Sequence, residues 1–271
     1  MAEETRKQTA DYSEEVSAVL PVLRERVLRD TSTLSVVLEE LLTLEKKTRL
    51  AADANSTKTV ALGVLELLLG LGQWDSFGEH VVLLASRRAQ MKPVVQAVVK
   101  FGFDAVDKTS DDQTREKLIK TLREVSDGKI FVELERSRLT KMLASMKERQ
   151  GLVAEASTIL QEVQVETVGS MDKREKAELL LEQLRLCLAC SDFARAELVA
   201  NKVSRKVLNE EDFQVLYYWK YALLARNSKS SSLLCWCSII FIRESTWRSA
   251  SAIQSCTTLL WSKMMRHSGR L

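Results

Sequence analysis

Histidines, cysteines and convergent carboxylates carry most protein chemistry, and this chain spends few of the first two. With His80 and His267 as the two histidines, neither a histidine-based triad nor a multi-histidine zinc site can be assembled. Cys187 and Cys190 stand in a C-x-x-C spacing, CLAC, which redox pairs and zinc sites both use. They fall inside the helical run LEQLRLCLAC, with no second pair at zinc-finger distance and no preceding βαβ pattern, so they read as small core residues. Cys235, Cys237, Cys256 and His267 could gather a metal only through spacings too loose to specify one. Glycine-rich phosphate loops of the GxxxxGKS or GxGxxG kind and the GxSxG nucleophile turn are absent. Carboxylates abound in runs such as ELERSRLTK and DKREKAELLLEQLR, but these runs place Glu and Lys or Arg three or four residues apart. That spacing stabilises a solvated helix face by a few tenths of a kcal/mol per pair and poises no acid against a base. The expectation is a non-enzyme with no catalytic residue, cofactor, metal or small-molecule substrate. One basic cluster, SRRAQMK, holds Arg87, Arg88 and Lys92 without interleaved aromatics, which argues against a nucleic-acid groove and for a charged contact with a protein partner.

The elements that would position such a contact follow from composition. A chain of 271 residues with 45% apolar and 28% charged residues can bury a sizeable core in one large or two ordinary domains. Two prolines and nine glycines punctuate it, while Leu, Ala, Glu, Lys and Arg dominate, so the expected fold class is all-α. The net charge of +3 divides into +5 for residues 228–271 and −2 for residues 1–227. A nearly neutral body lacks the clustered basic face of a nucleic-acid binder. The N-terminal MAEETRKQTADYSEEV has no apolar core segment, so no secretory or mitochondrial signal is expected. Five irregularly placed cysteines then fit reduced thiols in the cytoplasm or nucleus.

Hydrophobic spacing predicts a first helix from about Ser13 to Leu28 and a second from about Leu34 to Leu50, with Leu34, Val37, Leu38, Leu41, Leu42, Leu44 and Leu50 on one stripe. From Thr59 an apolar helix runs to a break at Gly70 to Gly72, then an aromatic opens another helix. The same order recurs in KIFVELERSRLTKMLASMKERQG, with Ile130, Leu134, Leu139, Leu143 and Met146 inward, followed after Gly151 by LVAEASTILQEV. It recurs again around Ser191 and Asp192, where Ala177, Leu180, Leu181, Leu184 and Leu188 form one face and Phe193 opens the next helix. Gly151 to Asp192 is 41 residues and Gln73 to Gly151 is 78, close to two such steps. A helix-turn-helix unit of about 40 residues is the signature of an α-solenoid of tetratricopeptide-like repeats. The least regular unit is FDAVDKTSDDQTREKLIKTLREVSDGK, where Ser110 or Asp111 caps a helix that turns Leu118, Ile119, Leu122 and Val125 to the core. The expected organisation is an N-terminal helical and partly disordered segment over residues 1–33, a helical-repeat domain over 34–227, and a divergent, irregular or disordered tail over 228–271.

Specific sequence runs add a family resemblance. GKIFVELERSRLTK, LQEVQVETVGSM and LEQLRLCLA, with EKKTRLAAD, QWDSF and LLASRRAQMK upstream in the same order, resemble the non-ATPase regulatory subunit 12 family of the proteasome regulatory-particle lid. The resemblance covers about Leu41 to Arg226. It implies a non-catalytic helical arm that packs against other lid subunits in ubiquitin-dependent degradation, without cofactor or active site, in the cytoplasm and nucleus. Members continue into a PCI domain and a long C-terminal helix. Here the match stops near LYYWKYALLARN, so the chain is expected to be a truncated form lacking the PCI domain. The alternative expectation is a free helical-repeat adapter for another complex.

Beyond the match lies LLCWCSIIFI, residues 233–242. Ten residues, nine of them apolar and one a serine, fall short of the roughly 20 that a membrane helix needs, so no membrane anchor is expected. A lone strand would find no sheet to join. Eleven serines, three tryptophans and a single acid in residues 228–271 resemble out-of-frame or retained-intron translation more than a selected tail.

Overall fold

A computed structural model describes residues 8–203. The tail, LLCWCSIIFI, His267 and the three distal cysteines lie outside the described residues. Among the described residues the fold is all-α: α1 (Ser13–Arg29), α2 (Leu34–Leu50), α3 (Ala54–Gly70), α4 (Trp74–Ser86), α5 (Lys92–Val106), α6 (Asp112–Val125), α7 (Glu133–Arg149), α8 (Val153–Gln161), α9 (Lys173–Ala189) and α10 (Phe193–Lys202), with short 3-10 turns at Thr31–Thr33 and Ile130–Val132. The chain divides into two compact units inside α9, at residues 179 and 180.

In the first unit each helix packs on its neighbour in sequence from α1 to α8, and α1, α3, α5 and α7 also pack on one another in succession, as α4 does on α6. Contacts between every second helix define stacked helix-turn-helix pairs, the arrangement of an α-solenoid. One hydrophobic core runs from Val16 in α1 to Met146 in α7 and includes Leu41, Val64, Leu68, Phe77, Leu84, Val98, Ile119, Leu122 and Leu143. Close approach depends on glycine at two contacts. A Cβ on Gly63 would lie 2.8 Å from Leu20 Cδ1, and one on Gly102 would lie 2.6 Å from Leu122 Cδ2. The described part of the second unit buries Leu180, Leu181, Leu184, Leu186 and Cys187 of α9 with Ala196 and Ala200 of α10.

Four of the helix junctions share one backbone device. Ala52, Gly72, Gly151 and Ser191 have φ of 57°, 67°, 81° and 60°. At each, the positive-φ residue donates its N–H to the carbonyl three residues back (Arg49, Leu69, Glu148, Leu188), and the next residue donates to the carbonyl five back (Thr48, Leu68, Lys147, Cys187). This paired closure is the Schellman ending, which satisfies the orphan carbonyls of a helix and reverses the chain at once. Asp53 and Asp192, the residues after two of these turns, then cap the following helices by accepting from the Ser56 and Arg195 N–H groups.

Several expectations need correction. Leu50 is 60% and Ile130 85% exposed. α7 starts at Glu133 after a 3-10 turn, so the phase shifts and Val132 takes the buried place expected of Ile130. α3 begins at Ala54, ahead of the apolar run from Thr59, because Asp53 supplies its cap. Hydrophobic spacing assigns no helix to the segment of α5. Its valine pairs Val94, Val95 and Val98, Val99 are buried at a helical step of four, a signal that β-branched residues obscure. At the unit read as irregular, Asp111 is the cap, 2.9 Å from the Thr114 nitrogen, and Leu118, Ile119, Leu122 and Val125 are buried.

Candidate interaction site at the inter-repeat turns

Two of the distinctive sequence runs, EKKTRLAAD and LLASRRAQMK, meet at Glu45. This carboxylate is on the inward stripe of α2, four residues after Leu41, and its side chain is fully buried. Arg49 Nε donates to Glu45 Oε1 at 3.0 Å, Arg87 Nη1 to Oε2 at 2.9 Å, and Gln90 Nε2 to Oε1 at 3.1 Å. Arg49 Nη1 also donates to the Arg88 carbonyl at 2.6 Å, and Gln90 Nε2 to the Leu84 carbonyl at 2.8 Å. The loop between α4 and α5 is therefore fastened to the end of α2 at three points, across a sequence separation of about 40 residues. A charge so deeply buried is tolerated because three side-chain donors are directed at it.

The same turn of α2 holds the N-terminal segment. Asp53 Oδ2 accepts from the Tyr12 N–H at 3.0 Å, and the Ala51 carbonyl accepts from the Thr9 N–H at 2.9 Å. Burial pushes the Asp53 carboxyl up, but the combined hydrogen bonds from Ser56, Tyr12 and Asn55 outweigh it and hold the group below its ordinary value. Residues 9–12 thus lie as a strap against the α2–α3 turn.

Further along, charged pairs tie successive helices. Lys120 and Lys147 both approach Glu116 Oε1 at 2.7 Å, and their hydrogen bonds, with one from Gln150, draw the Glu116 carboxyl down to about 2. Arg138 grips Glu175 in a bidentate pair at 2.7 and 2.9 Å, joining α7 to the first turn of α9. Hydrogen bonding to Arg138 lowers the Glu175 carboxyl, and the same bond raises the Arg138 guanidinium. Arg123 donates to Thr140 at 3.1 Å and to Glu162 at 2.7 Å, binding α6 to α7 and the segment after α8. That segment, the LQEVQVETVGSM run, is anchored by buried Val165, Val168 and Met171.

Of the cluster Arg87, Arg88 and Lys92, the structure turns Arg87 inward to Glu45 and leaves Arg88 and Lys92 on the exposed surface at the α4–α5 junction. Cys187 is buried in α9 and Cys190 is half-buried. Among the described residues no group of His, Cys, Asp or Glu is placed to hold a metal ion, and no helix is long and apolar enough to cross a membrane. Sequence reasoning missed Glu45 and Gln90. Glu45 had a signal, a lone acid inside a leucine stripe, whereas Gln90 had none.

The contacts of buried Glu45 thus fall on two of the runs that carry the family resemblance, and a family model named "PSMD12/CSN4, N-terminal" matches residues 36–237. The chain belongs to the PSMD12/CSN4 N-terminal family. Among curated PSMD12/CSN4-type relatives, it is 44% identical over 191 residues to the 26S proteasome non-ATPase regulatory subunit 12 of Dictyostelium discoideum, covering 70% of this chain and 43% of that protein. It is 43% identical over 182 residues to homolog A of that subunit in Arabidopsis thaliana, covering 67% and 41%. Identity to the 26S proteasome regulatory subunit RPN5 of Saccharomyces cerevisiae is 35% over 224 residues, covering 82% and 50%. The chain spans half or less of the length of these relatives.

Proposed function

We propose that this chain is a non-catalytic helical scaffold of the proteasome regulatory-particle lid, acting in ubiquitin-dependent protein degradation in the cytoplasm and nucleus. The family match over residues 36–237 carries the reading. The geometry supports it: Glu45 and Glu175 are paired with arginines that reach them from neighbouring elements, which stiffens an arm of stacked helices. Its partners are other lid subunits, with no nucleic acid, membrane or small-molecule substrate. The repeat domain is proposed over residues 34–227, after a segment at 1–33 and before a divergent tail at 228–271.

Purification of the tagged chain from cells under native conditions, with quantitative mass spectrometry of what accompanies it, tests this. Lid subunits in near-stoichiometric amount are expected. Their absence sinks incorporation, and a defined non-proteasomal partner recovered instead favours the adapter reading.

A further inference from the structure

Thr9 is exposed, yet it makes the first fastening of the strap at residues 9–12. Its N–H and its Oγ1 hydroxyl both donate to the Ala51 carbonyl, at 2.9 and 3.1 Å. Ala51 ends α2, where the last carbonyls of a helix lack partners and carry its partial negative charge. Three residues on, the Tyr12 N–H donates to Asp53 Oδ2 at 3.0 Å. The surface that receives the strap therefore consists of acceptors, a helix-end carbonyl and a carboxylate, on residues 7% and 2% exposed. Two cations of the same turn are engaged elsewhere: Lys47 approaches Glu15 at 3.8 Å, and Arg49 is held by Glu45 and the Arg88 carbonyl. The Thr9 hydroxyl docks here as a donor, so a change that removes its proton and adds negative charge turns attraction into repulsion. The sequence ahead of it is basic. In RKQT, Arg6 and Lys7 stand three and two residues before Thr9, a charge pattern that arginine-directed protein kinases read with acidic side chains. Thr9 also precedes α1, outside any helix, whereas Ser32, which likewise follows an arginine by three residues, has Asp30 in between and belongs to a 3-10 turn.

We propose that Thr9 is a phosphorylation site of an arginine-directed protein kinase, and that the phosphate releases residues 9–12 from the α2–α3 turn. In the transfer, Thr9 Oγ1 gives its proton to the kinase's base and bonds to the γ-phosphorus of a nucleoside triphosphate, whose bond to the bridging oxygen breaks so that the diphosphate leaves with the electron pair. The phosphothreonine carries a charge of about −1.5 to −2 at pH 7 and has no donor on Oγ1. It then faces the negative end of α2 and the Asp53 carboxylate, the placement in which a phosphate disrupts a contact. Lys46 and Lys58 are exposed about one turn from the junction, on α2 and α3, so capture of the phosphate by either is the competing outcome and would tighten the strap. Release is favoured because an exposed ion pair is weak, while the lost donor and the facing acceptors act at hydrogen-bond distance. The inference concerns the chain's own N-terminal segment and does not depend on the scaffold reading.

The test incubates the full 271-residue chain with the catalytic subunit of cyclic-AMP-dependent protein kinase and magnesium ATP, maps the modified residues by mass spectrometry, and follows hydrogen exchange in peptides that cover the strap. Phosphate at Thr9 is expected, and its loss from that peptide in Thr9→Val. Exchange of the amides of residues 9–12 is expected to quicken about tenfold in the phosphoprotein and in Thr9→Glu, and by a smaller factor in Thr9→Val, which loses the donor without gaining charge. Amides of α3 and α5 should stay as protected as in the parent chain, which shows that the variants are folded. Absence of phosphate at Thr9 while a reference peptide is phosphorylated overturns the site. Unchanged or greater protection of residues 9–12 in the phosphoprotein, or equal exchange in Thr9→Glu and Thr9→Val, overturns the release.

Discussion

Glu45 shows how one buried side chain sets the form of two junctions. Its net contribution to stability is modest, since desolvation offsets most of the attraction to Arg49 and Arg87, but removing it strands both cations in the interior. Glu45→Ala is therefore expected to cost about 3–5 kcal/mol in chemical denaturation, with loss of order in the α4–α5 loop measured by hydrogen exchange. Glu116 makes a different kind of contribution, one that responds to acid. Its folded carboxyl lies at about 2 against an ordinary 4.5, so its stabilisation is fully present above about pH 4.5 and is lost as pH falls toward 2. Because the group is on the surface side of α6 and partly screened, about 1 kcal/mol is the expected size. Glu116→Gln should flatten the acid limb of the stability curve over that window and lower stability at pH 7 by a similar amount. Equal acid sensitivity of the parent and the variant would contradict the assignment.

At the scale of elements, the shared Schellman turn sets chain reversal at four junctions and separates glycine from non-glycine solutions to the same geometry. Gly72 and Gly151 adopt it without a Cβ penalty, whereas Ala52 and Ser191 bear one. Ala52→Gly and Ser191→Gly are each expected to raise stability by about 0.5–1 kcal/mol, and Gly151→Ala to lower it by about 1 kcal/mol, all read from urea midpoints. Asp53 has two tasks, capping α3 and receiving the Tyr12 N–H. Asp53→Ala should cost about 1–2 kcal/mol and expose residues 9–12 to proteolysis, while Asp111→Ala, a cap alone, should cost about 1 kcal/mol. These junctions were partly legible beforehand. Gly72, Gly151 and the Ser191–Asp192 pair punctuated the sequence visibly, but Ala52 sits in LAAD, where no residue type announces a left-handed turn.

For the whole molecule, composition and period were enough to read paired helices throughout the described residues, because leucine spacing reports which face of each helix must be covered and scarce Pro and Gly leave the helices long. Family runs such as EKKTRLAAD and SRRAQMK could likewise be read as distinctive, and the family model matches residues that include both. Their meaning came only with packing. Nothing in a linear pattern brings residue 45 to residue 87, so Arg87 read as a surface cation until the stacking of α2 against the α4–α5 junction placed Glu45 beneath it. Helix phase was equally beyond the sequence: one 3-10 turn exchanged Val132 for Ile130 between core and surface. Sequence alone determined the helical class and the repeat, since those depend on neighbours along the chain. Tertiary structure decided which charges are buried and which apolar residues face outward, since burial depends on neighbours in space.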